Sequence, residues 1–223
     1  MHPSSSSETP EDGAPIGFRR IQWDVNRESA DERRRLRELE DRALRTRELR
    51  ARWNAPERHA ARTPCRDGPW GDALSALERR LETGFLLALI GPRGTGKTQL
   101  MVELMKSATE SGRSALYRTT TEFLMHLKAS YRPDSKASEL DVFKAHRRPS
   151  LLILDEFTRR QETDWENQVL FELLNHRYAD LTDTLIAANL PRPEFETHLG
   201  PSLISRLQET GGIVECDWPG FRG

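Results

Sequence analysis

The chain has 223 residues, enough for one domain with a sizeable core and an appendage, or for two small domains. Its 34 Lys and Arg residues nearly balance its 35 Asp and Glu residues, so no whole-protein charge draws it to nucleic acid or to an anionic membrane. Its two cysteines stand far apart, outside any CxxC pair, and no apolar run is long enough to span a bilayer. We therefore expect a reduced, cytoplasmic protein with no disulfide framework, structural zinc site or membrane partner.

The N-terminal part of the chain has its own composition. Residues 1–15 are mostly Ser, Pro and acidic residues with little to bury, which predicts a disordered tail. Residues 27–53 are dense in Arg and Glu and predict one long helix, with Ser29 and Glu32 as a capping box at its start and Pro56 stopping it. A narrow apolar stripe follows three- and four-residue steps through Leu36, Leu39, Ala43, Thr46 and Trp53. Such a helix is either solvated, with salt-bridged flanks, or docked on a partner.

After about residue 70 the chain alternates between short apolar segments and helical stretches. The apolar segments are FLLALI, SALYRT, LLILDE, TLIAANL and GIVECDW. Strands that alternate with helices are typical of a parallel sheet with helices on both faces. We therefore predict an α/β fold with a five-stranded parallel sheet.

The first apolar segment runs directly into GPRGTGKT at residues 91–98, and a helical run follows. Strand, glycine-rich loop and helix in this order are the context that a P-loop needs. The glycines let backbone N–H groups surround phosphate oxygens, Lys97 would neutralise the β- and γ-phosphates of ATP, and the Thr98 hydroxyl would ligate Mg²⁺. The residues predicted to contact the nucleotide are Gly91, Pro92, Arg93, Gly94, Thr95, Gly96, Lys97, Thr98 and Gln99.

Two carboxylates and one amide follow later strands of the predicted sheet. Asp155 and Glu156 end the segment LLILDE, and we assign Asp155 to the Mg²⁺ ion and Glu156 to the attacking water. An acidic pair at this place favours hydrolysis over nucleotide binding alone. Asn189 ends the next strand, where it either orients that water or makes a turn. Lys97, Glu156 and Asn189 are thus candidate catalytic residues.

Four segments in a fixed order resemble one known family. They are GPRGTGKT, LLILDE, LLNHRYADLTDTLIAANL and LGPSLISRLQETGGIVECDWPGFR. With APERHAAR ahead of them, they resemble the DnaC-like and IstB-like AAA+ ATPases, which include replicative helicase loaders and transposition accessory ATPases. The resemblance covers the chain from about residue 53 onward. It implies an AAA+ type P-loop NTPase, its sheet flanked by helices, that lacks a C-terminal lid domain and has an N-terminal helical extension.

The resemblance also gives a role to Arg206, which lies in the short apolar run SLISRLQ. In AAA+ assemblies an arginine at the matching position reaches the ATP of the neighbouring subunit, so Arg206 is expected to be a catalytic arginine finger. Arg177, in NHRY, matches a family arginine and is expected to assist from the subunit interface. Many relatives carry a second arginine where this chain has Ser202. Because the finger acts in trans, ATP hydrolysis should be slow until the protein assembles into a ring, a spiral or a filament.

A nucleic-acid site is also expected from the resemblance. In helicase loaders of this family the positions that match Lys128, Tyr131, Thr163 and Trp165 face single-stranded DNA. Lysine suits phosphate contacts, and Tyr and Trp suit base stacking, as a sequence-independent single-strand site requires. The alternative is that Tyr131 and Trp165 pack under a loop.

The resemblance implies an ATP-dependent switch, most simply a protein that loads a replicative hexameric helicase onto single-stranded DNA. We then expect a disordered tail at 1–15, a partner-docking helical region at 16–53 and the AAA+ ATP-binding domain at 54–223. A second interpretation is a transposition accessory ATPase that assembles on duplex DNA and meets a transposase. A third is a non-hydrolysing adaptor that uses ATP only to hold its shape, and the full set of catalytic residues argues against it.

Overall fold

The computed structural model describes the backbone of residues 16–218 and the side chains of residues 30–218. The disordered tail expected at residues 1–15 lies outside these described residues. By its internal contacts the chain divides into two compact units, Met1–Leu44 and Arg45–Gly223. None of the described helices is long and apolar enough to cross a membrane.

The N-terminal helix is longer than its sequence pattern predicts. It forms α1, Ile16–Arg50, so the expected capping box of Ser29 and Glu32 is wrong because both residues lie inside the helix. No Gly or Pro interrupts α1 after its second residue, and nothing in the backbone therefore prevents it from extending toward the N-terminus. At its other end the helix stops before Pro56, and Asn54 adopts a left-handed conformation with a φ of 56°.

The remaining described residues alternate between helices and strands. The helices are α2 (Glu57–Ala60), α3 (Gly68–Glu78), α4 (Lys97–Glu110), α5 (Thr120–Ser130), α6 (Glu139–Arg147), α7 (Asp164–Ala179) and α8 (Arg192–Thr210). The strands are β1 (Leu86–Ile90), β2 (Ala115–Thr119), β3 (Leu151–Asp155), β4 (Asp183–Ala187) and β5 (Gly212–Glu215). Each of the five apolar segments picked out in the sequence coincides with one of these strands.

The five strands form one sheet in the order β2-β3-β4-β1-β5, and every neighbouring pair is parallel. The predicted five-stranded parallel sheet is therefore confirmed. Side chains alternate across it: Leu86, Ala88 and Ile90 of β1 join the core layer on one face, and Leu87 and Leu89 join the layer on the other. Because β1, β3 and β4 are adjacent, the loops at their carboxyl ends meet at one edge of the sheet.

Helix α8 contains a break that matters for Arg206. Gly200 has a φ of 73° and a ψ of 162°, values outside the helical region, and Pro201 follows it. Proline suits the first turn of a helix because it has no N–H to satisfy there, so a second helical segment begins at this point. That second segment carries Arg206.

The predicted role of Arg177 at a subunit interface is wrong. Its side chain is 0% exposed, and all three guanidinium nitrogens donate hydrogen bonds within the domain. Nε donates to the Thr184 hydroxyl, and Nη2 donates to the Asp183 carbonyl. Nη1 donates to the carbonyls of His146 and Arg147 at the end of α6 and of Pro149 in the loop before β3. A guanidinium so completely bonded inside the core has no face to offer a neighbouring subunit.

Candidate nucleotide-binding site

The predicted P-loop connects β1 to α4 at the carboxyl edge of the sheet. Gly96 is the N-cap of α4 and has a φ of 84°, a conformation that glycine adopts without strain. At Gly91 (φ 127°) an added Cβ would lie 2.7 Å from the Cys216 carbonyl oxygen, so a side chain there would collide with the segment after β5. The loop thus directs the backbone N–H groups of the first turn of α4 toward open space, where a phosphate suits both the donors and the helix dipole.

Lys97 is 6% exposed and holds the loop closed from the inside. Its Nζ donates to the Gly91 carbonyl at 2.8 Å and to the Pro92 carbonyl at 2.7 Å. Burial lowers the pKa of Lys97, and the nearby Cys216 and Asp155 partly offset that effect. The acceptors in these bonds are neutral carbonyls, so no carboxylate competes with a phosphate for the Lys97 N–H donors.

Asp155 and Thr98 lie together, as the predicted metal site requires. The Thr98 hydroxyl donates to Asp155 Oδ2 at 2.9 Å, and the Tyr117 hydroxyl donates to the same oxygen at 2.7 Å. Burial, and next the neighbouring charge of Asp155, raise the pKa of Tyr117, so the phenol remains a donor. A carboxylate and a hydroxyl are hard oxygen ligands of the kind that Mg²⁺ prefers, and this donor set fits the ion.

Glu156 has a left-handed backbone, with a φ of 51°. The next residue, Phe157, donates its N–H to the Ala187 carbonyl at 2.7 Å, which ties the turn to β4. Both carboxylate oxygens of Glu156 accept from Arg159 Nη1, at 3.0 and 3.1 Å. A non-glycine residue in this conformation costs on the order of 1 kcal/mol or more, and such strain is found most often where a side chain must be aimed.

A cavity of about 650 Å³ lies beside the P-loop. Its volume falls within the range of small-molecule sites. Six P-loop residues line it, and Asp155, Glu156 and Asn189 join them from β3 and β4; the six are Arg93, Gly94, Gly96, Lys97, Thr98 and Gln99. The other three predicted contacts, Gly91, Pro92 and Thr95, do not line the cavity and instead offer carbonyls behind the loop.

Helix α2 and the segment that follows it supply two lining residues that sequence reasoning missed, His59 and Arg62. Gln99 fixes this helix on α4, because its Nε2 donates to the His59 carbonyl at 3.0 Å and its Oε1 lies 2.9 Å from His59 Nδ1. The segment APERHAAR was noticed only as part of the resemblance. Its position at the cavity depends on a contact between residues far apart in the chain.

Two tryptophans clamp the P-loop from outside the cavity, and sequence reasoning missed both. Trp70 Nε1, on α3, donates to the Gly96 carbonyl at 3.2 Å. Trp218 Nε1, after β5, donates to the Thr95 carbonyl at 2.7 Å. Elements before β1 and after β5 thus both fix the curvature of the phosphate cradle.

Arg206 lies on α8 and does not line the cavity of its own chain. Its guanidinium carbon lies 5.2 Å from the centre of the Phe171 ring and 5.4 Å from that of Tyr178, both on α7. Its Nη1 donates to the Ser202 hydroxyl at 3.2 Å. The other predicted catalytic residues, Lys97, Glu156 and Asn189, all line one cavity, whereas Arg206 lies outside it.

The four residues predicted to face DNA form one cluster at the ends of α5 and α7. Lys128 Nζ lies 5.1 Å from the centre of the Trp165 ring, and the Tyr131 and Trp165 rings meet edge to face at 6.1 Å. Thr163 caps α7 by accepting from the Glu166 N–H at 3.2 Å. Tyr131 is 49% exposed, whereas Trp165 is half-buried and packs against the core. A role of these residues in DNA binding stays a prediction.

The model of the family described as IstB-like ATP binding protein matches residues 74–208, which include the P-loop, the acidic pair and Arg206. The chain belongs to the IstB-like ATP-binding proteins. Membership confirms the resemblance drawn from the motifs. In this IstB-like chain the clamping residues Trp70 and Trp218 lie outside the matched range.

Two curated relatives represent the two branches of the resemblance. A putative insertion sequence ATP-binding protein of Sinorhizobium fredii is 32% identical over 158 residues, which are 67% of this chain and 51% of that protein. The replicative helicase loader DnaC of Escherichia coli is 23% identical over 133 residues, or 59% of this chain and 54% of the loader. The chain therefore spans about half the length of the curated relatives it matches.

Solved structures share the AAA+ fold with this IstB-like chain. A crystal structure of the DnaC helicase loader has a TM-score of 0.59 at 20% identity, over 73% of this chain and 97% of that one. The replication initiator DnaA bound to AMPPCP and single-stranded DNA has a TM-score of 0.57 at 18% identity, over 66% of this chain and 45% of that one. At these identities the similarity establishes the fold alone.

Proposed function

We propose that this IstB-like chain hydrolyses ATP at the interface between two of its copies. One observation carries the proposal: Glu156 lines the cavity beside the P-loop, whereas Arg206 lies outside that cavity on α8. A site that holds a candidate base but keeps its candidate arginine finger elsewhere is completed only when a neighbouring copy supplies the cation. Nucleotide binding alone would need neither group.

Five residues that line the cavity have a task in this reaction. Lys97 and the N–H groups of the first turn of α4 hold the phosphates of ATP. Thr98 and Asp155 would ligate Mg²⁺, which neutralises charge on the β- and γ-phosphates when bound. Glu156 accepts a proton from the attacking water as the water oxygen bonds to the γ-phosphorus, the bond from that phosphorus to the β,γ-bridging oxygen breaks, and ADP leaves. Asn189 orients the water. The Arg206 of the neighbouring copy stabilises the charge of the phosphoryl group in transfer.

We further propose that this chain loads a replicative hexameric helicase onto single-stranded DNA, and that the helicase responds to whether the chain has ATP bound. Helicase loaders named DnaC are among the relatives of the chain. Tyr131 and Trp165 provide two rings, and Lys128, which is also ion-paired with Glu166 at 3.3 Å, provides a cation beside them. Rings beside a cation are the chemistry of a sequence-independent single-strand site. The exposed leucines Leu36 and Leu39 of α1 supply an apolar stripe for docking the helicase.

A second function is favoured by a different observation. The relative with 32% identity is an ATP-binding protein of an insertion sequence, and the matching family model describes IstB-like ATP-binding proteins. In that case the same ATPase assembles on duplex DNA, and α1 meets a transposase. Binding to duplex DNA that falls steeply with salt would support this function.

Glutamate substitution tests hydrolysis directly. In Glu156→Gln the side chain keeps its size and loses its basicity, so ATP affinity should persist while phosphate release falls by about 10²-fold or more. Arg206→Ala should cost on the order of 10³-fold in assembled protein. If wild type and Glu156→Gln are equally inactive at every protein concentration and with every DNA, the chain binds ATP as an adaptor and does not hydrolyse it.

Docking is tested by native mass measurement of the protein with the replicative helicase, ATP and Mg²⁺. A variant lacking residues 1–44, the first of the two compact units, should lose the complex. Leu39→Asp should do the same, because Leu39 lies on the apolar stripe with 61% exposure. Leu44→Asp is the matched control, since Leu44 is 56% exposed but lies on another side of α1. If full-length protein gives no complex, the loader function is wrong, and duplex DNA and a transposase become the partners to test.

The DNA cluster is tested at its exposed ring. Tyr131→Ala should weaken binding to single-stranded DNA by about 1–3 kcal/mol, the usual contribution of one stacked base, and Tyr131→Phe should not. Thermal unfolding of both variants provides the folding control. Unchanged affinity in Tyr131→Ala would assign this ring to packing against Trp165 instead.

A further inference from the structure

Arg206 is held in place without a carboxylate. Its charge lies against the rings of Phe171 and Tyr178, 5.2 and 5.4 Å from their centres, and its one side-chain hydrogen bond goes to the neutral hydroxyl of Ser202. No Asp or Glu among residues 30–218 forms a salt bridge with it. By contrast, Arg147 and Arg192 nearby in the fold each pair with an acidic side chain.

The rings of Phe171 and Tyr178 lie on one face of α7 and together contact Arg206. Phe171 and Tyr178 are seven residues apart on α7, which places them two turns apart on the same face of the helix. The Tyr178 hydroxyl donates to Glu209 Oε2 at 2.7 Å, and this bond fixes the ring against the second segment of α8. Phe171 packs against the hydrophobic core on that side of the sheet. Both rings are therefore anchored independently of Arg206.

Aromatic rings can hold the Arg206 guanidinium in place and still leave it able to bind a phosphate. The ring quadrupole attracts the guanidinium but carries no net charge, so it orients the group without neutralising it. A carboxylate would bind the guanidinium more tightly and would compete with a phosphate for the same N–H donors. Among the described residues the remaining guanidinium donors of Arg206 have no acceptor, and they can meet an anion from outside the chain.

We propose that Phe171 and Tyr178 are positioning residues for Arg206, which they present to the ATP of a neighbouring copy already oriented and with its full charge. This inference rests on the proposed ATPase function and adds the groups that prepare the arginine. The rings touch neither the nucleotide cavity of their own chain nor, in this proposal, the reacting atoms.

The first test compares ring loss with ring retention. The double variant Phe171→Leu, Tyr178→Leu keeps apolar bulk and removes both π faces, so kcat of assembled protein should fall by about ten- to hundredfold, as misplaced catalytic groups do. The KM for ATP should stay within about twofold, because binding precedes the use of the arginine. The pair Phe171→Tyr, Tyr178→Phe keeps both rings and should recover most of the turnover.

A matched control separates positioning from packing. Phe143 is another half-buried phenylalanine that packs on the same core, and it lies on α6 away from Arg206. Phe143→Leu should lower the unfolding midpoint as much as Phe171→Leu does and should leave kcat unchanged. An equal loss of kcat in both variants would mean that the rings act only through stability.

The second test uses mixed assemblies. The double leucine variant has an intact ATP cavity, and Glu156→Gln has an intact arginine and rings. Where the two meet, the Glu156→Gln copy presents Arg206 to the working cavity of the other, so the mixture should turn over ATP faster than either protein alone. A mixture no faster than its parts would overturn the inference.

Failure of the inference and failure of the proposed function give different results. If Arg206→Ala loses turnover while the double leucine variant keeps it, the finger is real and the rings do not position it. If Arg206→Ala is as active as wild type, or wild type has no turnover in any assembly, the proposed trans hydrolysis is wrong and the inference falls with it.

Discussion

The two ends of the parallel sheet each carry a buried carboxylate, but most of the donors to one are backbone N–H groups and most of the donors to the other are hydroxyls. At the amino end, Asp183 is 0% exposed and accepts from the backbone N–H groups of Glu82, Gly84 and Phe85 and from the side chain of Arg113. At the carboxyl end, Asp155 Oδ1 accepts from the Glu156 backbone N–H, whereas its Oδ2 accepts from the hydroxyls of Thr98 and Tyr117, and the residue lines the cavity. Backbone donors cannot leave, whereas the two hydroxyls on Oδ2 can rotate toward a new partner.

The same difference separates the two arginines that the sequence offered as interface residues. Arg177 bonds to five oxygens inside the domain, and Arg206 bonds to one hydroxyl and two ring faces. A charge whose partners are backbone carbonyls holds elements together. A charge whose partners are weak or replaceable remains available to a ligand. The bonding state, rather than the residue type, distinguishes structure from function here.

Breaking the Arg177 cluster should have the largest effect. Arg177→Met removes the donor for five oxygens and leaves several of them buried without a partner, so the free energy of unfolding should fall by about 3–5 kcal/mol. Urea unfolding followed by circular dichroism measures it. The matched control, Arg206→Met, should change stability by no more than about 0.5 kcal/mol. Similar urea midpoints for the two variants would contradict the distinction.

The second largest effect should be a loss of stability at low pH, caused by His146 at the amino end of the sheet. His146, whose carbonyl accepts from Arg177, is buried, and burial lowers its pKa to about 4, against the opposing effect of its bond to the Val142 carbonyl. Between the ordinary value of about 6.5 and about 4 the unfolded chain binds a proton that the folded chain does not, so stability should fall as pH falls, by up to about 1.4 kcal/mol per unit. His146→Phe should lack this contribution. Equal pH slopes for wild type and variant, measured by urea unfolding, would refute it.

Loosening the P-loop clamp should have the smallest effect of the three. Trp218→Phe removes one hydrogen bond to the Thr95 carbonyl, so ATP affinity should fall by about 1 kcal/mol, or about fivefold. Isothermal titration with ATP and Mg²⁺ measures the change. The matched control is Trp53→Phe, because Trp53 Nε1 is buried without a hydrogen-bond partner and its loss should leave ATP affinity unaltered. Equal affinities in both variants would mean that the clamp does not shape the cradle.

Much of the sheet and of the cavity could be predicted because the signals are contiguous. Each strand is a short apolar run, and the P-loop motif after β1 occupies eight consecutive positions. Asp155 and Asn189 could be placed beside the loop because parallel strands bring their carboxyl ends to one edge. These inferences needed only local pattern and a topological rule.

The features that were missed or mistaken depend on distant contacts. His59 reaches the cavity through Gln99, and Trp218 reaches Thr95, across long stretches of chain that no local periodicity records. Arg177 occupies a position on a helix that is open to solvent or buried depending on what packs there. The last turn of α6 and the loop that follows it provide three carbonyls that accept from the guanidinium, and these residues lie far from Arg177 in the sequence.

The position of β1 in the sheet has a consequence for how the protein is made. This strand pairs on one side with residues 184–187 and on the other with residues 212–215, both far downstream. Contacts of such long sequence separation form slowly, because a large loop must close before they contribute. During synthesis, the strand that precedes the P-loop therefore emerges with neither neighbour, and a chain interrupted before β4 leaves that strand's two hydrogen-bonding edges uncovered. A folding defect should thus expose an apolar strand edge before it costs nucleotide affinity, and aggregation would be its first sign.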